Sequence, residues 1–134
     1  MTIPGNKFIP FFTFDGRAEE AMNLYTSLFE HSQIMNITRY GAEGPGKEGS
    51  VMHGTFLLNG QTFMCIDSPV KHEWTFSPGI SIYVNCESEA EISRAFETLS
   101  QGGVVLMPLQ AYPFAKQFGW VADPFGVSWQ LSLQ

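Results

Sequence analysis

The stretch that decides the fold lies near the C-terminus and reads Asp123-Pro124-Phe125-Gly126-Val127-Ser128-Trp129-Gln130-Leu131. Asp, Pro and Gly at its first, second and fourth positions are typical of a type I turn, so we expect the chain to reverse direction here between two strands. After the turn, apolar residues alternate with polar ones, which places the two kinds of side chain on opposite faces of a strand. The pattern predicts a sheet that packs its apolar face on helices and lines a hollow with the other face, into which Gln130 points.

The composition and charge of the chain exclude several classes of protein. A length of 134 residues suits one domain, and the high content of hydrophobic (44%) and aromatic (14%) residues predicts a filled core rather than disorder. The net charge is -6, and the seven Lys and Arg residues form no basic stripe. We therefore expect neither nucleic acid nor an anionic membrane surface as a partner.

The cysteines and the N-terminus indicate the compartment. Cys65 and Cys86 lie in or beside predicted strands and form no disulfide framework, so reduced thiols are expected. Residues 1–14 have no signal-peptide pattern, and no apolar run approaches the length of a membrane span. We predict a cytoplasmic protein with no membrane partner.

The first half of the chain predicts one helix and four strands. The periodicity favours strands at 8–14, 34–40, 51–58 and 61–67 and a helix from 18 to about 30. Asn59-Gly60 between the last two strands is a strong hairpin signal, because both residues tolerate positive φ. The loop at 41–49 is rich in glycine.

The second half repeats the same order after a connector at 68–78. A strand at 79–85 is followed by a capping box at Ser88 and Glu91, a helix, a strand at 104–107 and the C-terminal hairpin. Apolar positions of the two helices match at one constant offset, as in Ala21 with Ile92. Such a repeat predicts an α+β fold with two tandem βαβββ modules, about 1–70 and 79–134, in a single domain at 1–134. Together the modules are expected to form a curved mixed sheet with a cleft.

Three segments resemble a known superfamily. Residues 17–29 and 57–64 resemble the vicinal oxygen chelate superfamily, which contains glyoxalases, bleomycin resistance proteins and dioxygenases. Residues 118–131 are similar to its PhnB-like branch, which often carries the label 3-demethylubiquinone-9 3-methyltransferase. The resemblance implies paired βαβββ modules and a homodimer.

The resemblance also implies where a metal ion would bind. Metal-dependent members place four ligands, usually His and Glu or Gln, in the first and last strands of each module. The matching positions here are near Pro10, Met64, near Ser81, and Gln130. Only Gln130 is a plausible ligand, whereas a divalent ion needs at least three suitable donors. We therefore predict no bound metal.

The residues give no support to a nucleotide-like cofactor. Such cofactors sit on a glycine-rich turn between a strand and a helix. The loop at 41–46 leads to another strand, and Pro45 removes a backbone donor. No cofactor is predicted.

Five residues are candidates for binding a ligand in the cleft: His53, Met64, Ser81, Trp120 and Gln130. His53 is a candidate base or ligand contact, although a structural, hydrogen-bonded histidine is the simpler interpretation. Gln130 has an equal alternative in a structural hydrogen bond, and Trp120 in core or dimer packing. No catalytic residue is assigned.

Two functions remain open. One is a metal-free binding or resistance-type module for a small, mainly apolar or aromatic molecule, held in an ordinary ligand pocket. The alternative is a metal-dependent or metal-independent enzyme of the glyoxalase, dioxygenase or lyase type, acting on a small organic substrate. A purely structural dimerisation protein would leave the polar face of the C-terminal hairpin unexplained.

Overall fold

The computed structural model describes residues 6–134, and the chain divides into two compact units. Unit 1 ends at His72 and unit 2 begins at Glu73. Each unit contains one helix and four strands, as the sequence predicts. In unit 1 they are β1 (Phe11–Phe14), α1 (Ala18–Leu28), β2 (Gln33–Arg39), β3 (Val51–Leu58) and β4 (Gln61–Asp67). In unit 2 they are β5 (Ile82–Asn85), α2 (Glu89–Ser100), β6 (Val104–Tyr112), β7 (Ala115–Ala122) and β8 (Ser128–Leu133).

The two units have the same sheet topology. The strand order is β1-β4-β3-β2 in unit 1 and β5-β8-β7-β6 in unit 2. In each sheet the first strand pairs in parallel with the last, and the other neighbours are antiparallel. The predicted α+β class and the repeated βαβββ module are thus confirmed. That the two units form a single domain at 1–134 stays a prediction.

The core of unit 1 lies between α1 and one face of its sheet. Tyr25 of α1 is fully buried against Phe56, which stacks on Phe63 with ring centroids 5.3 Å apart. The carboxylate of Asp67 accepts hydrogen bonds from the backbone N–H of Ala18 and of Val51, both at 2.9 Å. The buried carboxylate at the end of β4 therefore connects the start of α1 to the start of β3.

The core of unit 2 uses the apolar face of β8. Trp129 and Leu131 are fully buried, and a Cβ added at Gly119 would lie 2.4 Å from the ring of Phe96 in α2. Since Gly119 pairs with Leu131, this face of the sheet is the one that packs on α2. The capping box is present, because the Ser88 hydroxyl accepts the backbone N–H of Glu91 at 3.1 Å.

The turn at Asp123 to Gly126, near the C-terminus, is stabilised by its own aspartate. The backbone carbonyl of Asp123 accepts the N–H of Gly126 at 2.9 Å, and Gly126 has φ +97°. One carboxylate oxygen of Asp123 accepts the N–H groups of Phe125 and Val127, and the other accepts the Trp129 indole N–H at 2.9 Å. The aspartate thus joins the predicted turn to the core tryptophan.

The bounds of several strands differ from the sequence prediction. β6 continues to Tyr112 rather than ending at 107, and β7 begins at Ala115 rather than 118, so residues 104–122 form one long hairpin. Pro108 lies within β6, which is an edge strand with bulges, where a missing N–H is tolerated. β1 and β5 are shorter than expected, and Ser81 therefore precedes β5.

Within residues 6–134, neither helix is long and apolar enough to cross a membrane.

Candidate ligand-binding site

Each sheet has a second face, on the side opposite the helix of its unit, which we call the helix-free face. In unit 1 it carries Phe11, His53, Thr55 and Met64. A Cβ added at Gly54 would meet the Met22 side chain of α1 at 2.8 Å, so the neighbours of Gly54 in β3 point away from the helix. Met64 pairs with Thr55 in β3 and with Phe11 in β1, which brings these side chains together.

His53 lies against an aromatic ring rather than a carboxylate. Its ring centroid is 6.3 Å from that of Phe11, and its backbone pairs with Thr38 in β2. Among residues 6–134, no carboxylate forms an ion pair with His53. The geometry suits a half-buried polar contact for a ligand, and it provides no partner that would orient His53 as a general base.

Thr55 is a residue that the sequence analysis missed. It is only 8% exposed, and its hydroxyl has no hydrogen-bond partner within residues 6–134. A buried hydroxyl without a partner is unfavourable by about 1–3 kcal/mol, so such groups are rare, and a ligand or a water molecule that binds the hydroxyl would remove this cost. Its alternation with His53 in β3 was the available signal, but sequence cannot show that a hydroxyl is unsatisfied.

The helix-free face of unit 2 carries a connected polar network. The hydroxyls of Ser81 and Ser128 lie 2.6 Å apart. The Trp120 indole N–H donates to the Ser128 hydroxyl at 2.8 Å, and the Gln130 side-chain amide donates to Ser81 at 3.3 Å. Three residues predicted from sequence are thus brought together, and Ser128, which the sequence analysis did not single out, connects Trp120 to Ser81.

Aromatic side chains flank this network. Tyr83 pairs with Gln130 in the sheet and is 51% exposed. Farther along β7, Phe118 contacts Phe114 and Tyr112, with ring centroids 5.1 and 5.8 Å from its own. The face therefore combines neutral hydrogen-bonding groups with apolar ring surface.

The positions that the resemblance matches to metal ligands carry too few suitable donors. In unit 1, Met64 pairs with Phe11, and its backbone N–H donates to the Pro10 carbonyl at 3.0 Å. In unit 2, Gln130 has Ser81 and Tyr83 as its neighbours. Residues 6–134 contain no group of three or more His, Cys, Asp or Glu that could hold a metal ion. These residues do not fit a divalent metal, which requires several anionic or imidazole ligands.

The glycine-rich loop does not form a cradle for a nucleotide. Gly46 packs on the face of the Tyr40 ring, where an added Cβ would lie 2.6 Å from a ring carbon. The N–H groups of Gly44, Gly49 and Ser50 are hydrogen-bonded to carbonyls of Tyr40 and of the loop itself. These backbone donors are therefore not free to bind a phosphate or a carboxylate.

The two cysteines are buried and free. Burial, with a smaller effect of the Asp67 carboxylate, raises the pKa of the Cys65 thiol to about 12. Burial, together with the Glu91 carboxylate, raises the pKa of Cys86 to about 12 as well. Neither thiol is a nucleophile near neutral pH.

Comparisons with known proteins identify the family. A family model described as 3-demethylubiquinone-9 3-methyltransferase matches residues 6–132. A PhnB protein from Bacillus cereus is 59% identical, with a TM-score of 0.95 over 96% of this chain and 100% of its own. Protein PA1353 from Pseudomonas aeruginosa is 28% identical, with a TM-score of 0.83 over 95% of this chain and 96% of its own.

A more distant structure shows the fold alone. A glyoxylase/bleomycin resistance protein/dioxygenase domain from Frankia sp. EAN1pec is 14% identical, with a TM-score of 0.67 over 98% of this chain and 93% of its own. No curated protein matches the chain. The chain shares the fold of that domain, and it belongs to the 3-demethylubiquinone-9 3-methyltransferase family as a PhnB-like protein.

Proposed function

We propose that this protein binds a small, mainly apolar or aromatic molecule without a metal ion, on the helix-free faces of its sheets. The observation that carries the proposal is the neutral network of Trp120, Ser128, Ser81 and Gln130. The network includes Ser81 and Gln130, the two positions of unit 2 that the resemblance matches to metal ligands. Each member of the network is fixed by another, so its polar groups are oriented before a ligand arrives.

The chemistry of both faces supports an uncharged ligand. Small-molecule sites are mostly apolar, with a few placed polar groups that fix orientation. Unit 1 offers Phe11 and Met64 around the unpaired hydroxyl of Thr55, and unit 2 offers Tyr83 and Trp120 around the serine and glutamine groups. The same pattern of apolar walls and neutral polar groups therefore recurs in both units.

Binding of aromatic compounds to protein dialysed against a chelator tests the proposal. We expect such compounds to raise the melting temperature of the chelated protein. Replacing Trp120 by Ala should weaken their binding about tenfold, because a large aromatic contact is lost. Trp74→Ala removes an indole that is 60% exposed and outside the network, and it serves as the control. Binding that appears only after a divalent metal is added would overturn the proposal.

The alternative is a metal-independent enzyme, and one observation favours it. His53 lies two residues from the unpaired Thr55 hydroxyl on the same face of β3. Even without a carboxylate partner, a histidine that contacts a bound substrate can transfer a proton. Turnover of a bound compound that is lost in His53→Gln, with its binding retained, would place the protein in this class.

We also propose that the protein is a cytoplasmic homodimer. β6 is an edge strand, and Val104, Val105 and Leu106 are consecutive exposed apolar residues on it. Such an edge is a template for pairing with another chain. Two free cysteines agree with a reducing compartment. A monomeric mass in sedimentation equilibrium would contradict the dimer, and Val105→Lys should weaken it.

A further inference from the structure

The direction of the hydrogen bonds in the network of unit 2 can be worked out from its donors. Ser128 is 2% exposed, and its hydroxyl oxygen lies near the Ser81 hydroxyl and the Trp120 indole N–H. The indole nitrogen is a donor only and cannot accept a hydrogen bond. Among residues 6–134, Ser81 is the one acceptor placed within reach of the Ser128 hydrogen. Ser128 must therefore accept from Trp120 and donate to Ser81.

With this direction, the Ser81 hydroxyl can still donate a hydrogen bond. Its oxygen accepts from Ser128 and from the Gln130 side-chain N–H, which occupies both lone pairs. Within residues 6–134, the Ser81 O–H and the side-chain carbonyl of Gln130 are then the groups at the end of the network that have no hydrogen-bond partner. They place a hydrogen-bond donor next to a hydrogen-bond acceptor, and neither is charged.

The conclusion does not depend on how the Gln130 amide is turned. With the amide reversed, its carbonyl accepts the Ser81 hydrogen, and its N–H groups become the unused donors. The carbonyl oxygen keeps a second lone pair. In both orientations the end of the network presents at least one donor and one acceptor.

We infer that Ser81 and Gln130 bind the carbonyl group of a neutral ligand, an amide or a comparable donor–acceptor group, whose apolar body lies on Trp120 and Tyr83. This inference rests on the proposed function and names the chemical class of its ligand. An amide presents a carbonyl acceptor beside an N–H donor, which complements the two groups at the end of the network. A hydrocarbon would cover these polar groups without forming hydrogen bonds to them, which would lower its binding affinity.

The surrounding charge favours a neutral group over a carboxylate. The network itself carries no cation, and the whole chain has a net charge of -6. By strand alternation, the nearest cation on this face of β7 is Lys116, four residues from Trp120. That spacing corresponds to about 13 Å along a strand, which is too far for direct contact with the Ser81–Gln130 pair.

Three probes of similar shape test the inference: benzamide, benzoate and isopropylbenzene. Binding to chelated protein is followed by two-dimensional 15N NMR, with the indole N–H of Trp120 and the side-chain amide of Gln130 as reporters. We expect benzamide to bind with a Kd about tenfold lower than that of isopropylbenzene, and more tightly than benzoate. In Ser81→Ala, this preference should disappear while the Kd for isopropylbenzene stays within about twofold.

Matched variants separate recognition from folding. Ser132→Ala removes a hydroxyl from the same strand and face as Gln130, but Ser132 is 1% exposed and is bonded to Gln134, so the preference should persist. Ser81→Thr keeps the hydroxyl and should keep the preference. If Ser81→Ala does not fold, Gln130→Met is the substitute, and the same loss of preference is expected.

The outcomes distinguish this inference from the function on which it rests. If no probe binds, the proposed function fails at this face and the inference fails with it. If all three probes bind equally and Ser81→Ala changes nothing, the binding function stands and the carbonyl inference is overturned. Benzoate binding most tightly would also overturn it, because the site would then recognise charge.

Discussion

Replacing Thr55 by Val should make the protein more stable, which is unusual for a change at a buried position. The Thr55 hydroxyl is buried and has no hydrogen-bond partner in the described part of the chain, and valine has nearly the same shape without the polar atom. An unsatisfied buried hydroxyl costs about 1–3 kcal/mol, so its removal should raise the free energy of unfolding by about 1–2 kcal/mol. For a chain of this length, that corresponds to a rise in Tm of roughly 3–8 °C.

The assay is urea denaturation combined with a thermal melt, and Thr26→Val is the matched control. The Thr26 hydroxyl donates to the Met22 carbonyl at 2.8 Å, so the same substitution there removes a satisfied hydrogen bond. We expect the control to leave stability unchanged or to lower it by up to about 1 kcal/mol. Equal m-values in the variants would show that only stability has changed.

The prediction for Thr55 also connects stability to function. If the hydroxyl is retained because it binds a ligand, Thr55→Val should gain stability and lose affinity for that ligand, as functional positions often do. A free energy of unfolding for Thr55→Val that is equal to or lower than that of the unsubstituted protein would refute the reasoning. It would mean that the hydroxyl is already satisfied in the folded protein.

Three further predictions follow from the packing, the hydrogen bonds and the pKa values. Gly119→Ala should lower the free energy of unfolding by about 1–3 kcal/mol, because the new methyl group would overlap the Phe96 ring. Cys65 and Cys86 should resist alkylation by iodoacetamide at pH 8 in the folded protein, since a pKa of about 12 leaves roughly one thiol in ten thousand ionised. Asp123→Asn should cost about 2 kcal/mol in urea denaturation, because one N–H of the turn or of the core indole would face an amide donor.

Each of these predictions has a result that would contradict it. Gly41→Ala, where the added Cβ meets nothing within 4 Å, should leave the unfolding free energy nearly unchanged, and an equal loss at both glycines would contradict the packing argument. Full alkylation of the cysteines in urea, measured by mass spectrometry, would show that folding protects them. Rapid labelling without urea would contradict the raised pKa values. If the free energy of unfolding of Asp123→Asn equals that of the unsubstituted protein, the Asp123 carboxylate does not stabilise the turn.

The elements of the fold were predictable because each depends on local signals. Asp123 and Gly126 specify their turn through hydrogen bonds within a few residues, and Asn59-Gly60 adopts the positive φ values of 49° and 84° that its composition suggests. The boundaries of β6 and β7 were not predictable in the same way. Pro108 is acceptable only because β6 is an edge strand with bulges, and the position of a strand within a sheet is a tertiary property.

For the site, the sequence predicted which face of the sheet a side chain occupies, but it did not predict the hydrogen-bond partners. Alternation along β8 assigned Gln130 to the side opposite the helix, and the pairing of β7 with β8 agrees with that assignment. Sequence could not show that Ser128 joins Trp120 to Ser81, because those bonds link residues from three parts of unit 2. It also could not show that Thr55 lacks a partner, since satisfaction depends on every neighbouring atom.

Metal-independent recognition is tested most directly by calorimetric titration of benzamide into the protein, once in chelator and once with zinc, manganese or nickel added. The neutral side chains at Ser81 and Gln130 predict the same Kd under all conditions and no stoichiometric metal in the dialysed protein. A divalent ion retained at one per chain, or benzamide binding that requires an added metal, would contradict this function.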